Sequence, residues 1–201
     1  MNYPGGIKPK LAEDGNVNAK KKAKTGKIKP GNRGMDFEAG INETNAYYLE
    51  KGLCLIIKRP TPINVVSVDY THGPKITSAY FETQSTTDYN GVYKGHYIDF
   101  EAKSTHSKTS FPLSNIPPQQ IEHLERVLLH GGIAFFLIDF ALLNEVYLLP
   151  AEDIIAFYKE KPRSSLPLSW VKEKGKLVKL GYRPRYDYLP LVESLFFPSL
   201  H

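Results

Sequence analysis

The chain has 201 residues, of which 41% are hydrophobic and 12% aromatic, enough for one ordinary folded domain and too apolar for a disordered chain. Its longest clean apolar run, 133–138, is far shorter than the roughly 20 residues of a membrane span. Its one cysteine excludes an internal disulfide framework and a cysteine-built zinc site. The first ten residues lack the apolar stretch of a signal peptide, so we expect a cytoplasmic protein with no membrane partner.

The net charge of +5 is distributed unevenly along the chain. Residues 1–34 and residues 159–185 each contain nine bases and two acids, a net charge of +7, whereas residues 35–158 have a net charge of −7. Residues 1–31 are rich in Gly, Pro, Asn and Lys without hydrophobic periodicity, which predicts a disordered basic arm. Such an arm is either a solubilising tail or a polyanion-binding segment that gains affinity by releasing counterions from phosphates.

The first half of the acidic middle predicts one helix followed by short strands. Residues 35–51 have apolar side chains at approximately helical spacing, and Gly52 follows as a stop. Two segments rich in β-branched and aromatic residues flank the turn-forming residues 71–74, which predicts a hairpin. The strands predicted in this half are 53–58, 63–70 and 75–81.

The second half predicts the remainder of one α/β domain. A turn is predicted at 88–91, and the segment that follows, 92–103, reads as two strand segments around Lys94-Gly95. Ser114 or Asn115 is predicted to cap a helix that has prolines in its first turn. Further strands are predicted at 133–140, which is apolar on both faces and therefore central, and at 145–149, with helices at 150–159 and 166–174. The order α-β-β-β-α-β-β-α predicts a mixed sheet.

The segment 97–103 carries acidic and basic residues on one face of a predicted strand. With a period of two, Asp99, Glu101 and Lys103 share a face, and Asp88 can approach Glu101 if the chain doubles back. Two carboxylates beside a lysine are suited to hold Mg²⁺ against a substrate phosphate, with the lysine stabilising developing charge. On spacing alone, Asp88 is equally typical of a turn-forming aspartate, and Glu101 with Lys103 of a solvated ion pair.

Longer motifs around these residues resemble a known family. Asp88 followed by Glu101-Ala102-Lys103 resembles the PD-(D/E)xK nuclease signature, although the leading proline is absent. The motifs NRGM at 32–35, STTDYNGVYKGHYIDFEAK at 85–103, KTSFPL at 108–113 and QIEH at 120–123 closely resemble the RecU family of bacterial Holliday-junction resolvases. The resemblance is good over about 30–155 and looser elsewhere.

The resemblance implies a site on these residues. Asp88 and Glu101 would be the carboxylate metal ligands, with Thr86 and Gln120 at or beside the metal, and Lys103 would stabilise the transition state. Glu38 resembles an additional acidic residue of such sites, the alternative being an exposed helix acid. Asp99 lies on the same face but outside the ligand pattern. The implied cofactor is Mg²⁺, for which Mn²⁺ can substitute.

The resemblance also implies an architecture and partners. The implied fold is α/β, with a restriction-endonuclease-like core in which helices flank a mixed central sheet. Residues 32–201 would form a single nuclease domain, with a protruding β-hairpin stalk inserted at 61–81. The implied partners are four-way junctions and other branched DNA, a second copy in a homodimer, and the RecA recombinase and branch-migration machinery. The candidate DNA-binding residues are Arg33, Lys58, Arg59 and Lys75.

The function that these expectations favour is Mg²⁺-dependent, symmetric nicking of four-way junctions in recombination, repair and chromosome segregation. A nuclease for another branched or damaged DNA is an alternative in the same fold. A non-catalytic module that binds branched DNA is an alternative of another class. A binding-only protein would be expected to lose the acids or the lysine, and Asp88, Glu101 and Lys103 are all present.

Overall fold

The computed structural model describes the backbone of residues 30–81 and 86–197 and the side chains of 36–81 and 86–197. The predicted arm at 1–31 lies outside these residues, apart from positions 30 and 31, which are helical. The helices are α1 (Pro30–Glu50), α2 (Pro118–Leu129), α3 (Ala151–Glu160), α4 (Leu168–Lys174) and α5 (Leu189–Phe196), and a 3₁₀ turn spans Leu113–Asn115. The strands are β1 (Leu55–Lys58), β2 (Ile63–Asp69), β3 (Lys75–Phe81), β4 (Tyr89–Tyr93), β5 (His96–Thr105), β6 (Ser110–Pro112), β7 (Ile133–Phe140), β8 (Glu145–Pro150), β9 (Ser165–Pro167), β10 (Lys176–Leu177), β11 (Lys179–Leu180) and β12 (Tyr186–Asp187).

A six-stranded mixed sheet in the order β1-β4-β5-β7-β8-β10 forms the centre of the protein. Its pairs are antiparallel except β5–β7, which is parallel and connected through α2. All eight residues of β7 are buried, as expected for a strand covered on both faces. The predicted central position of this strand is therefore confirmed.

Each face of the sheet has its own apolar core. On one face, Ile98, Phe100 and Phe135 pack with residues of α1 and α5. On the other face, Phe136 and Ile138 pack with residues of α2, α3 and α4. The predicted α/β class, with a mixed central sheet flanked by helices, is confirmed. None of the helices in the described ranges is long and apolar enough to cross a membrane.

Strands β2 and β3 follow β1 and precede β4 in the chain, and they form a hairpin outside the central sheet. They pair only with each other, from Ile63 opposite Phe81 to Asp69 opposite Lys75. Every residue of β3 and most residues of β2 are exposed, including Val66, Tyr80 and other large apolar side chains. The predicted hairpin is confirmed, and it adds nothing to either core.

The predicted turn at 88–91 is wrong, because residues 89–91 belong to β4. Asn-Gly favours turns locally, but here Gly91 serves the approach of β1. A Cβ on Gly91 would lie 2.0 Å from the carbonyl oxygen of Leu55. The chain reverses instead at Lys94 and Gly95, whose φ angles of 49° and 78° suit a tight hairpin turn.

The start of α2 also differs from the prediction. Neither Ser114 nor Asn115 caps it; they end the 3₁₀ turn, and α2 begins at Pro118 with Pro117 in the N-cap position. Proline at the first helical position is tolerated because that N–H would have no helical partner. The predicted helix at 166–174 is shorter, because residues 165–167 pair with β6 as strand β9.

Candidate active site

The two carboxylates of the predicted site lie side by side at the junction of β4 and β5. Tyr89 pairs with Phe100, so Asp88, the residue before β4, lies beside Glu101. The backbone N–H of Asp88 donates to Glu101 Oε2 at 3.1 Å, and the N–H of Ala102 lies 3.4 Å from Asp88 Oδ2. The prediction that Asp88 approaches Glu101 is therefore confirmed, through one reversal of the chain rather than two.

Lys103 and Gln120 complete the immediate surroundings of Glu101. The Lys103 ammonium lies 2.7 Å from Glu101 Oε1, and the Gln120 side-chain amide donates to the same oxygen at 2.8 Å. Lys103 comes from the same strand face, whereas Gln120 projects from the first turn of α2. The amide oxygen of Gln120 is buried and accepts no hydrogen bond from any residue the structure describes.

The site is unfavourable for negative charge without a cation. Burial, and then the neighbouring charge of Asp88, raise the pKa of Glu101 from 4.5 to about 8, although Lys103 acts in the opposite direction. The carboxylate side chain is almost fully buried, and Lys103 is 20% exposed. A proton or a bound cation therefore stabilises Glu101 in this environment.

Glu38 lies on α1 and contacts Tyr89, the residue after Asp88. Its carboxylate pairs with Lys58, and the Tyr89 hydroxyl lies 3.3 Å from its backbone carbonyl oxygen. The pKa of Tyr89 is raised by burial and then by the charges of Glu38, Asp88 and Glu101. The charges of all three carboxylates therefore act on one buried tyrosine.

The three candidate DNA-binding residues whose side chains are described do not converge on one surface. Lys75 is exposed at the start of β3, on the hairpin. Lys58 faces α1, whereas Arg59 contacts Asp99 on the other side of the sheet, with an Nη2–Oδ2 distance of 2.7 Å. Arg33 lies in α1, but its side chain is outside the described set.

The remaining predicted ligand, Thr86, is half-buried two residues before Asp88. The sequence did not predict the partners of Asp99. This buried carboxylate contacts the side chains of Arg59 and His123. The alternation that put Asp99 on the face of Glu101 was a usable signal, but the partners come from distant parts of the chain.

The donor set fits Mg²⁺ or Mn²⁺. Among the described residues, no group of three or more His, Cys, Asp and Glu side chains is placed to hold a metal. Mg²⁺, however, is usually bound by one or two carboxylates together with waters and substrate phosphate. Asp88 and Glu101 supply the carboxylates, and the unpaired Gln120 oxygen supplies a further hard acceptor.

The family model and the sequence relatives agree on one family. A family model described as RecU, Recombination protein U, matches residues 32–194. A protein named Holliday junction resolvase RecU from Lactococcus lactis subsp. lactis is 50% identical, covering 97% of this chain and 98% of that protein. A protein of the same name from Streptococcus thermophilus is 47% identical, covering 97% of each. The solved Holliday junction resolvase Hjc of Archaeoglobus fulgidus matches with a TM-score of 0.42 and 12% identity, over 71% of this chain and 94% of that one.

Proposed function

The chain belongs to the RecU family, and from this membership we propose that it is an endonuclease that resolves four-way DNA junctions. The observation that carries the proposal is the buried Glu101 carboxylate, with the half-buried Asp88 beside it and the Lys103 ammonium 2.7 Å from it. Carboxylates that face a polyanionic backbone need a cation between them and the phosphate. The non-catalytic alternative gives no reason for a buried Glu101 whose pKa is raised by burial and by the neighbouring charge of Asp88.

Asp88, Glu101 and Gln120 would hold Mg²⁺, or Mn²⁺ in its place, and the bound ion supplies charge neutralisation at the phosphodiester and a lower pKa for water. Glu101 binds a proton when no cation is present, because its pKa is about 8. The partly exposed Lys103 ammonium is placed to donate to a phosphate oxygen as negative charge develops there. Glu38 would add negative charge close to Tyr89, next in sequence to Asp88.

We also propose that two copies act together, since symmetric nicking of a four-way junction needs two equivalent sites. The outer face of the sheet edge supports this proposal. Leu55 and Ile57 are 50% and 53% exposed on β1, and Val92 opposite Leu55 is 47% exposed. Contiguous apolar surface of this kind on an edge strand is typical of protein interfaces. A second copy that covered it would also protect the unpaired edge of β1.

The hairpin of β2 and β3 is proposed to be the stalk that contacts the junction. Its exposed aromatic side chains, Tyr80 and Phe81, offer π-faces to unpaired bases, and Lys75 offers charge to a phosphate. The basic arm at 1–31 is proposed to add phosphate contacts. Contact with the RecA recombinase and branch-migration machinery stays a prediction.

The proposal is tested by Asp88→Ala on a four-way junction in Mg²⁺. We expect junction binding to be retained and nicking to be lost, because the phosphate contacts lie elsewhere and one of the two acidic ligands is gone. Glu152→Ala, which changes an exposed acid in the first turn of α3, is the matched control and should nick normally. Unchanged nicking by Asp88→Ala contradicts the site, and equal cleavage of unbranched duplex contradicts junction selectivity.

A further inference from the structure

Arg59 occupies the point at which the chain leaves the sheet for the hairpin. It follows the last residue of β1, and its backbone N–H donates to the carbonyl oxygen of Asp88 at 2.8 Å. This hydrogen bond extends the β1–β4 ladder by one residue and fixes the backbone of Asp88. The main chain of Arg59 is therefore hydrogen-bonded directly to Asp88.

The Arg59 guanidinium is engaged with protein acceptors on all three of its nitrogens. Its side chain is only 18% exposed. Nε donates to Asn90 Oδ1 at 3.1 Å, Nη1 to Thr87 Oγ1 at 3.2 Å, and Nη2 to the Tyr97 hydroxyl at 2.5 Å and to Asp99 Oδ2 at 2.7 Å. A guanidinium has five N–H donors in a fixed fork. Four of them are used here, and Nη1, which carries the fifth, also lies 3.3 Å from His123 Nε2. The guanidinium is therefore already engaged by protein partners.

Asp99 is fully buried, and both of its oxygens accept hydrogen bonds. Oδ2 accepts from Arg59, from the Tyr97 hydroxyl at 2.8 Å and from His123 Nε2 at 2.9 Å. Oδ1 accepts from the Thr87 hydroxyl. His123 Nε2 also lies 3.3 Å from Arg59 Nη1, so the imidazole contacts both members of the Arg59–Asp99 pair. A buried charge with this many donors is oriented rigidly.

This network touches each element that brings a residue to the metal site. Thr87 immediately precedes Asp88. His123 lies one turn of α2 after Gln120. Asp99 itself lies two residues before Glu101 on β5. The network therefore links the start of β4, the middle of β5 and the first half of α2 directly beside the carboxylates.

We propose that Arg59 and Asp99 form a positioning unit for this active site, and that Arg59 is not a DNA contact. The pair holds β4 and α2 against β5 at the separation at which Asp88, Glu101 and Gln120 converge. The inference rests on the proposed nuclease function for its kinetic readout, but its metal-binding readout does not depend on cleavage.

The first test separates positioning from phosphate contact. Junction affinity is measured in EDTA over a range of salt, and the single-turnover nicking rate is measured in Mg²⁺ at saturating junction. For Arg59→Ala and Asp99→Asn we expect the rate to fall by about 10- to 100-fold, since small displacements of reacting groups have effects of this size. We expect the slope of log affinity against log salt to stay that of the wild type. Arg59→Lys should not restore the rate, because an ammonium cannot supply the fork.

Two comparison variants calibrate the first test. Lys75→Ala removes a proposed phosphate contact and should flatten the salt slope by about 0.9. Lys159→Ala breaks an exposed pair between α3 and Glu125 of α2, which is not part of the Arg59–Asp99 network, and should change neither readout. A flattened slope for Arg59→Ala with an unchanged saturated rate would show that Arg59 binds DNA and would overturn the proposal.

The second test uses the metal alone. Mn²⁺ affinity, measured by electron paramagnetic resonance without DNA, should weaken by about 10- to 100-fold in Asp99→Asn, as is typical of residues that orient metal ligands. Unchanged Mn²⁺ affinity together with an unchanged rate overturns the proposal, whereas a wild-type protein that does not nick overturns only the proposed function. Where Arg59→Ala fails to fold, Asp99→Asn, which is isosteric, keeps both tests available.

Discussion

Replacing Glu101 with glutamine is expected to remove nuclease activity and, at the same time, to remove a pH dependence from the stability of the metal-free protein. Burial and Asp88 raise the pKa of Glu101 from 4.5 to about 8 in the folded protein. Between these values the folded protein binds a proton that the unfolded chain releases. The stability of the metal-free protein should therefore fall as pH rises from about 4.5 to about 8.

The size of this effect follows from the same pKa. A difference of one in pKa corresponds to about 1.4 kcal/mol, so the rise from 4.5 to about 8 corresponds to an upper limit on the order of 5 kcal/mol. Glutamine has the shape of the protonated glutamic acid and cannot ionise. Glu101→Gln should therefore match the wild type near pH 5 and be the more stable protein above pH 8.

The assay is urea unfolding in EDTA at intervals across this pH range, with a parallel series in saturating Mg²⁺. Mg²⁺ should stabilise the wild type most at the alkaline end and should not stabilise Glu101→Gln. Asp88→Asn is the matched comparison, because it removes the second cause of the raised pKa and should make the dependence shallower. Parallel curves for the wild type and Glu101→Gln would refute the reasoning.

Three further predictions concern other parts of the molecule. Lys103→Met should lower the single-turnover nicking rate by about 10²- to 10³-fold while junction affinity in EDTA is retained; an affinity loss that accounts for the whole defect contradicts its assigned role. Gly91→Ala should lower the free energy of unfolding by about 3 kcal/mol, because the new Cβ would lie 2.0 Å from the Leu55 carbonyl oxygen, and unchanged urea unfolding would contradict the close approach. Ile57→Lys should halve the mass measured by analytical ultracentrifugation, because it places a charge in the proposed dimer interface. Leu129 is 80% exposed on α2, and Leu129→Lys should leave the mass unchanged. A wild-type monomer contradicts the proposed dimer.

The parts of the fold that were predictable are those in which local pattern and final environment agree. The run at 133–140 is apolar on both faces because it is central, and the hairpin of β2 and β3 has β-forming residues on both sides of a turn sequence. The segment at 88–91 was not predictable in this way. Its Asn-Gly pair favours a turn, and the reason it forms a strand is a neighbour, β1, that lies more than 30 residues earlier in the chain.

The candidate site was likewise predictable where it depends on a local pattern and not where it depends on distant residues. The alternation at 97–103 put Asp99 and Glu101 on one face, and the structure agrees. What the sequence did not reveal is the set of partners of Asp99. Arg59 is 40 residues away and His123 is 24 residues away, and neither spacing is a local pattern. Arg59 next to Lys58 suggested a surface for DNA, but the two side chains point to opposite faces of a strand.

The pairing of Lys58 with Tyr89 means that the chain returns to the same place after the excursion of the hairpin. An insertion of this kind can be shortened, lengthened or exchanged without altering the order of the central sheet. The proposed junction-contacting element and the hydrolytic centre can therefore be varied as separate modules. The natural splice points lie between Arg59 and Thr87, so that both residues are kept, because they belong structurally to the hydrolytic module. Hairpins exchanged between those points offer a direct route to nucleases of altered selectivity.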